Sequence, residues 1–307
     1  MNFSEQIKEE SLRLGFSHCG ITLSEPLEDL RSFYTGYINA GNHGTLSYLK
    51  TNFEKRLDPS LILPGVKSVI ALLMNYYPAE PVTQEDNYII SKYACGGDYH
   101  ILVKERLNSL AAFISRLSPG TEARAFVDSA QLLEKAWAQR CGVGWQGKNT
   151  LIINKMNGSF FFIGIILTTL TIETDKPETS HCGSCSRCID ACPTGALATP
   201  YQLHIAKCIS FHTIETREEI PEEIRSRLNG RIYGCDICQD VCPYNRMASS
   251  ADNTLFFPTE ELRSMRKKDW ENLTEAQFDR IFANSSIKRT GYKKLKGNII
   301  PYPTGRN

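Results

Sequence analysis

Cys182, Cys185, Cys188 and Cys192, with Pro193 after them, fit the spacing C-x2-C-x2-C-x3-C-P of bacterial two-cluster ferredoxins. In that arrangement three close thiolates wrap one 4Fe-4S cluster while the fourth reaches across to another, so a second, incomplete motif must follow. It follows as Cys235, Cys238 and Cys242 before Pro243, with Cys208 standing alone upstream as the missing ligand. The ferredoxin crossover assigns Cys182, Cys185, Cys188 and Cys242 to one cluster, and Cys192, Cys208, Cys235 and Cys238 to the other. Cys-x-x-Cys pairs also hold zinc, but zinc ribbons lack the C-x3-C-P endings. Cys19, Cys95 and Cys141 fall outside the pattern and read as small buried hydrophobes.

Thiols that ligate iron must stay reduced. The N-terminus MNFSEQIKEE carries acids and lacks the basic-then-apolar pattern of a secretory signal. The longest apolar stretch, Phe160 to Leu170, falls short of the ~20 residues of a membrane-spanning helix. The chain therefore reads as soluble and cytoplasmic, with no membrane partner. A formal charge of +1 argues against a general polyanion binder, yet cations gather at one end. Lys288, Arg289, Lys293, Lys294, Lys296 and Arg306 follow one another with no acid between them. Such a strip is either a solvated tail or a row of phosphate contacts.

The elements that must position these groups are legible from periodicity and turn chemistry. The 307 residues suggest two compact units at roughly 100 to 200 residues per domain. A helix is predicted over residues 1–15, a buried strand over 66–76, a helix over 99–117 and a short strand over 123–127. A helix over 131–140 follows, capped by Asp128 or Ser129. Two apolar runs, 150–154 and 159–169, flank Lys155-Met156-Asn157-Gly158, whose Asn-Gly pair suits a β-hairpin turn. Everything up to about Ile172 is thus mixed α/β. The polar stretch from Thr174 to Ser180, with Pro177, marks a boundary before the cysteine-rich segment.

Residues 142–149, GVGWQGKN, satisfy G-x-G-x-x-G and most of a P-loop. Both motifs need strand, loop and helix in that order, whereas this loop leaves a helix and enters a hairpin, and Asn149 replaces the P-loop Ser or Thr. Nucleotide binding is not predicted. The glycines instead mark backbone passing close to another strand or to a flat cofactor.

Several segments together resemble the epoxyqueuosine reductases, cobalamin-dependent iron-sulfur enzymes that finish queuosine synthesis in tRNA. The matching stretches are 54–56, 93–100, 127–130, 134–140 and 144–149, then 182–197, 208–210 and 234–245. The resemblance implies an N-terminal nitroreductase-like α/β (α+β) domain, residues 1–175, holding cobalamin and substrate. A ferredoxin-like domain with both clusters would follow at 176–250, and a helical, basic extension at 251–307. It implies that the epoxide of epoxyqueuosine at the tRNA wobble position is reduced to the cyclopentene of queuosine.

By the same resemblance Asp128 is the general acid, a role for which burial should raise its pKa. Arg56, Cys95, Asp128, Ser210, Cys235 and Asp236 are expected near cobalamin or substrate, with Ile152 and Ile163 offering backbone contacts. Gln131 departs from the Pro of many relatives. The D-x-H-x-x-G box of some cobalamin enzymes is absent at Asp98-Tyr99-His100, so a histidine-ligated cobalt is not expected. Longer family members continue into HEAT-like repeats; a short form without them would place more of the anticodon-arm contact on Lys288 to Lys296. A low-potential donor such as flavodoxin or ferredoxin, and a monomeric state, complete the expectation. The alternatives are a dehalogenase-like corrinoid reductase and a plain two-cluster electron carrier.

Overall fold

The computed structural model describes residues 2–299 except 81, 83, 84, 129 and 130. The predicted buried strand forms as Ser68–Asn75, and seven of its eight residues are buried, because both faces of the sheet it occupies are covered. It pairs antiparallel with His18–Leu23 on one side and with Phe161–Thr168 on the other. Ala123–Phe126 pairs antiparallel with the far half of Phe161–Thr168, closing a four-stranded sheet. Every pairing in this sheet is antiparallel, so the unit is α+β.

Alternate side chains of the central strand go to opposite layers, as a period of two requires. Ile70, Leu72 and Met74 pack with Val103, Leu107 and Ile114 of the helix Tyr99–Leu117 and with Ile7 of Phe3–Arg13. Val69, Ala71 and Leu73 pack against Trp137 and Cys141 at the helix Glu134–Arg140. Gly164 has no Cβ where Leu107 presses onto the sheet. The longest helix is Tyr99–Leu117, and among the described residues no helix is long and apolar enough to cross a membrane.

Two local expectations are corrected. The helix predicted over 131–140 begins at Glu134, behind Leu133, which makes no side-chain cap. Asp128 is not the cap of that helix; its φ of +53° turns the chain instead, and Ser129 lies outside the described residues. The Asn-Gly turn closes as predicted, with Asn154 and Gly158 exchanging backbone hydrogen bonds of 2.7 and 3.0 Å. Its two flanks do not form one hairpin. Ile152–Ile153 pairs with Trp145–Gln146, whereas Phe161–Thr168 enters the main sheet, because its apolar length suits a strand covered on both faces. The Gly144 backbone lies against the Ile153 carbonyl, so those glycines permit strand contact.

The cysteine-rich segment folds into short helices, Arg187–Asp190 and Ile237–Asp240, packed against each other, and a helix Ile209–Ile214 directly after Cys208. Arg231–Tyr233 pairs in parallel with Ile89–Ile90. The C-terminal region forms the helices Glu260–Ser264, Lys267–Glu271, Glu275–Ile281 and Tyr292–Asn298. They bury Trp270, Phe278, Phe282 and Leu295 in one core with Tyr88, Cys95, Ile232 and Tyr233.

Candidate functional site

A cavity of about 430 Å³ opens between the sheet unit and the cysteine-rich segment, within the usual range of ligand sites. Phe161, Phe162 and Ile163 come from the main sheet, and Ile152 from the neighbouring two-stranded ribbon. Ala123–Phe126 pairs with residues 165–168, so among the described residues no strand lies along the far side of 161–164, whose other side pairs with residues 72–75. The opposite wall carries Cys192, Cys208, Cys235 and Cys238, with Ser210 and Asp236. Cys182, Cys185, Cys188 and Cys242 line a separate narrow cavity nearby. The eight thiols thus fall into two sets of four. Burial raises the thiol pKa of Cys188, Cys208, Cys235, Cys238 and Cys242, and neighbouring thiols add to the rise.

Asp128 stands at the cavity mouth, just past the strand Ala123–Phe126. The Tyr99 hydroxyl donates to its carboxylate, and His100 Nε2 lies 3.9 Å away. The backbone N–H of Asp128 donates to Glu134 Oε1 at 2.8 Å. Burial, then the charge of Asp128, holds the Tyr99 phenol well above its ordinary pKa, so this hydroxyl stays protonated. The Tyr99 ring stacks on Phe162 with centroids 4.1 Å apart, and His100 Nδ1 is 2.7 Å from Asp98 Oδ1. The burial expected of Asp128 is absent: its side chain is 56% exposed, because its loop forms the rim of an open cavity. The neighbouring Glu134 carboxyl has its pKa raised to about 8, chiefly through burial and then through the charge of Asp128.

Asp128, Ile152, Ile163, Ser210, Cys235 and Asp236 therefore share one cavity. Asp236 accepts from the Lys92 backbone N–H at 2.8 Å, and burial raises its pKa. Arg56 lies in an adjoining cavity that shares Tyr93, Tyr99 and Asp128 with the first. It is buried, donates from Nη2 to the Tyr48 carbonyl at 2.8 Å and leaves Nε without a partner. Cys95 lines neither cavity; it belongs to the core under the C-terminal helices, and burial pushes its thiol up to about 12.

Sequence reasoning does not single out Tyr99, His100 and Glu134 for roles. Their signal is local: Asp98 caps the helix through the His100 N–H at 3.0 Å, which sets Tyr99 and His100 in its first turn. Lys148 has no role in the sequence beyond its place in an incomplete P-loop. In the fold its Nζ donates to the carbonyls of Gly183 and Cys185 at 2.7 and 2.9 Å, tying the glycine loop to the first cysteine turn.

An acid at the mouth of a cavity walled by four cysteine thiols, with four more beside it, defines a two-cluster iron-sulfur oxidoreductase. A family model for a 4Fe-4S double cluster binding domain matches residues 181–245, and one described as epoxyqueuosine reductase QueG, DUF1730, matches residues 56–129. An epoxyqueuosine reductase of Cellulophaga algicola is 45% identical over 296 residues, 96% of each chain. A crystal structure of epoxyqueuosine reductase with an epoxyqueuosine-modified tRNA-Tyr stem loop is 30% identical, with a TM-score of 0.88, over 96% of this chain and 79% of that one. The Bacillus subtilis enzyme, solved with its aspartate catalytic loop swung out of the active site, is 29% identical with a TM-score of 0.87, over 96% and 79%. The chain belongs to the epoxyqueuosine reductase family.

Proposed function

We propose that this chain reduces epoxyqueuosine at the wobble position of tRNA to queuosine, with Asp128 as the acid. The observation that carries this reading is the placement of Asp128 at the mouth of a cavity whose far wall holds four cysteine thiols. Two electrons and two protons turn the epoxide into an alkene, and the epoxide oxygen leaves as water. Cobalamin in the cavity would supply a strongly reducing cobalt centre, fed one electron at a time by the two clusters.

The residues suit that use. Phe161, Ile163 and Ile152 offer an apolar wall, and the edge of residues 161–164 that faces away from the central strand offers backbone groups such as those of Ile163. Cys192, Cys208, Cys235 and Cys238 would hold the cluster nearer the cavity, and the other four the cluster beyond it. Asp128 would give its proton to the departing oxygen, while the Tyr99 hydroxyl orients the carboxyl. Asp128 being exposed on a turn agrees with an acid that a bound substrate covers, and the Bacillus subtilis enzyme also carries its aspartate on a catalytic loop. A low-potential donor such as flavodoxin or ferredoxin would load the outer cluster, with the chain acting as a monomer. The nitroreductase-like cobalamin domain at 1–175, the cluster domain at 176–250 and the extension at 251–307 are the matching division. Family membership makes the dehalogenase-like and electron-carrier alternatives unnecessary.

The test is queuosine formation on epoxyqueuosine-containing tRNA by anaerobically reconstituted protein with a strong reductant, with and without cobalamin, read by nucleoside mass spectrometry. Cobalamin-dependent conversion that Asp128→Asn removes is the expected result. No conversion despite intact clusters and bound corrinoid would move the activity to another substrate.

A further inference from the structure

The C-terminal cations predicted as one strip are separated by the fold. Lys288 pairs with Asp279, Arg289 Nε reaches Asp98 Oδ2 at 3.2 Å, and Lys296 donates to the Trp270 and Glu271 carbonyls. Arg306 lies outside the described residues. Lys293 and Lys294 instead meet Arg217 and Arg225 in a cleft of about 580 Å³.

This cleft adjoins the cavities of the site. It shares Arg217 and Thr290 with the Arg56 cavity, which in turn shares Asp128 with the cluster-walled one. Arg217 Nη1 donates to the Thr290 carbonyl at 2.7 Å, holding its guanidinium between the two spaces. Lys294 is half-buried; desolvation, then Arg217 and Arg225, lowers its pKa. Gathered like charges losing water are unfavourable until an anion joins them. Glu218, Glu219 and Glu275 line the same cleft, but among the described residues no ion pair joins them to these cations; Arg225 approaches only Glu222, at 3.9 Å.

We propose that this cleft takes a backbone phosphate of the substrate RNA, flanking the nucleoside presented to Asp128, with Arg217 marking the strand's path between them. The inference rests on the tRNA reading above and adds where the strand is held. Lys293 and Lys294 carry the contact with Arg225, while the partnered Lys288 and Lys296 do not.

Binding of epoxyqueuosine-containing tRNA to the cluster-loaded protein across ionic strength tests it, for wild type, Lys293→Gln and Arg225→Gln with Lys294→Gln. Removing one cation from a phosphate should make the slope of log affinity against log salt shallower by about 0.7 to 0.9, with affinity falling several-fold. Lys293 is exposed, so its variant keeps the fold whatever happens to the half-buried Lys294. Unchanged slope and affinity in both variants would overturn the proposal and leave the cleft a solvated face. The readout is binding alone, so a wild type that makes no queuosine would sink the proposed activity, whereas the cleft is judged by the slopes.

Discussion

Asp128 has a backbone φ of +53°, a region Asn also adopts readily, so Asp128→Asn removes the proposed acid without adding backbone strain. The expected loss of turnover is about 10²- to 10⁴-fold, the usual contribution of a positioned acid, with tRNA binding retained. Single-turnover kinetics beside a binding isotherm separates the two. Glu134 has its pKa raised from 4.5 to about 8. The folded protein keeps this proton after the unfolded chain has released it. Its contribution to stability therefore falls as pH climbs from about 4.5 to about 8, then levels off. Glu134→Gln keeps an oxygen to accept from the Asp128 N–H and removes the titration. Its melting temperature should decline less than that of wild type across this window, which calorimetry at a series of pH values would show; parallel curves would refute it.

At the scale of elements, the turn at Gly158 and the end of the second cysteine motif are joined through Asn245. Its Oδ1 accepts from the Ser159 N–H at 2.6 Å, and its Nδ2 donates to Ser159 Oγ at 3.0 Å and to the Gln239 carbonyl at 2.6 Å. A Cβ on Gly158 would collide with Asn245, so the turn's glycine, at φ +77°, permits this contact as well as the turn. Asn245→Ala leaves the Ser159 N–H without its acceptor, a loss of about 1 to 3 kcal/mol. Urea unfolding of the reconstituted protein measures it. Lys148→Met should speed iron release from the set containing Cys182 and Cys185, since the two carbonyls that Lys148 binds belong to that turn. Chelator-driven bleaching of the clusters follows this, and an unchanged rate would reduce Lys148 to a surface residue.

Across the whole molecule, the C-terminal helices are part of the core. Trp270 is 1% exposed and donates from Nε1 to Asn87 Oδ1 at 2.8 Å, linking the last helices to the segment that precedes Cys95. Trp270→Ala should cost about 3 to 5 kcal/mol, the usual penalty for emptying a buried aromatic site, and should lower stability globally. A cooperative unfolding midpoint shifted for both cluster absorbance and far-ultraviolet signal is the expected sign. A shift confined to the latter would mean that the C-terminal helices melt alone.

Local chemistry was enough for much of this. The cysteine spacing, the helix at 99–117, the buried strand near 68–75 and the Asn-Gly turn depend on neighbours within a few residues, and periodicity or turn preference records such neighbours directly. Resemblance carried Asp128, Ser210 and Asp236 to one place because their motifs travel with the family's sequence. Three features depended on partners far along the chain. The second apolar run left its expected hairpin because the main sheet offered it two covered faces, which no local pattern encodes. The basic strip divided because Asp279, Asp98 and the carbonyls of 270–271 engage some of its cations, while Arg217 and Arg225 approach others. The exposure of Asp128 and the raised pKa of Glu134 followed from which carboxyl the packed layers enclosed, since burial and like-charge proximity are properties of the folded molecule alone.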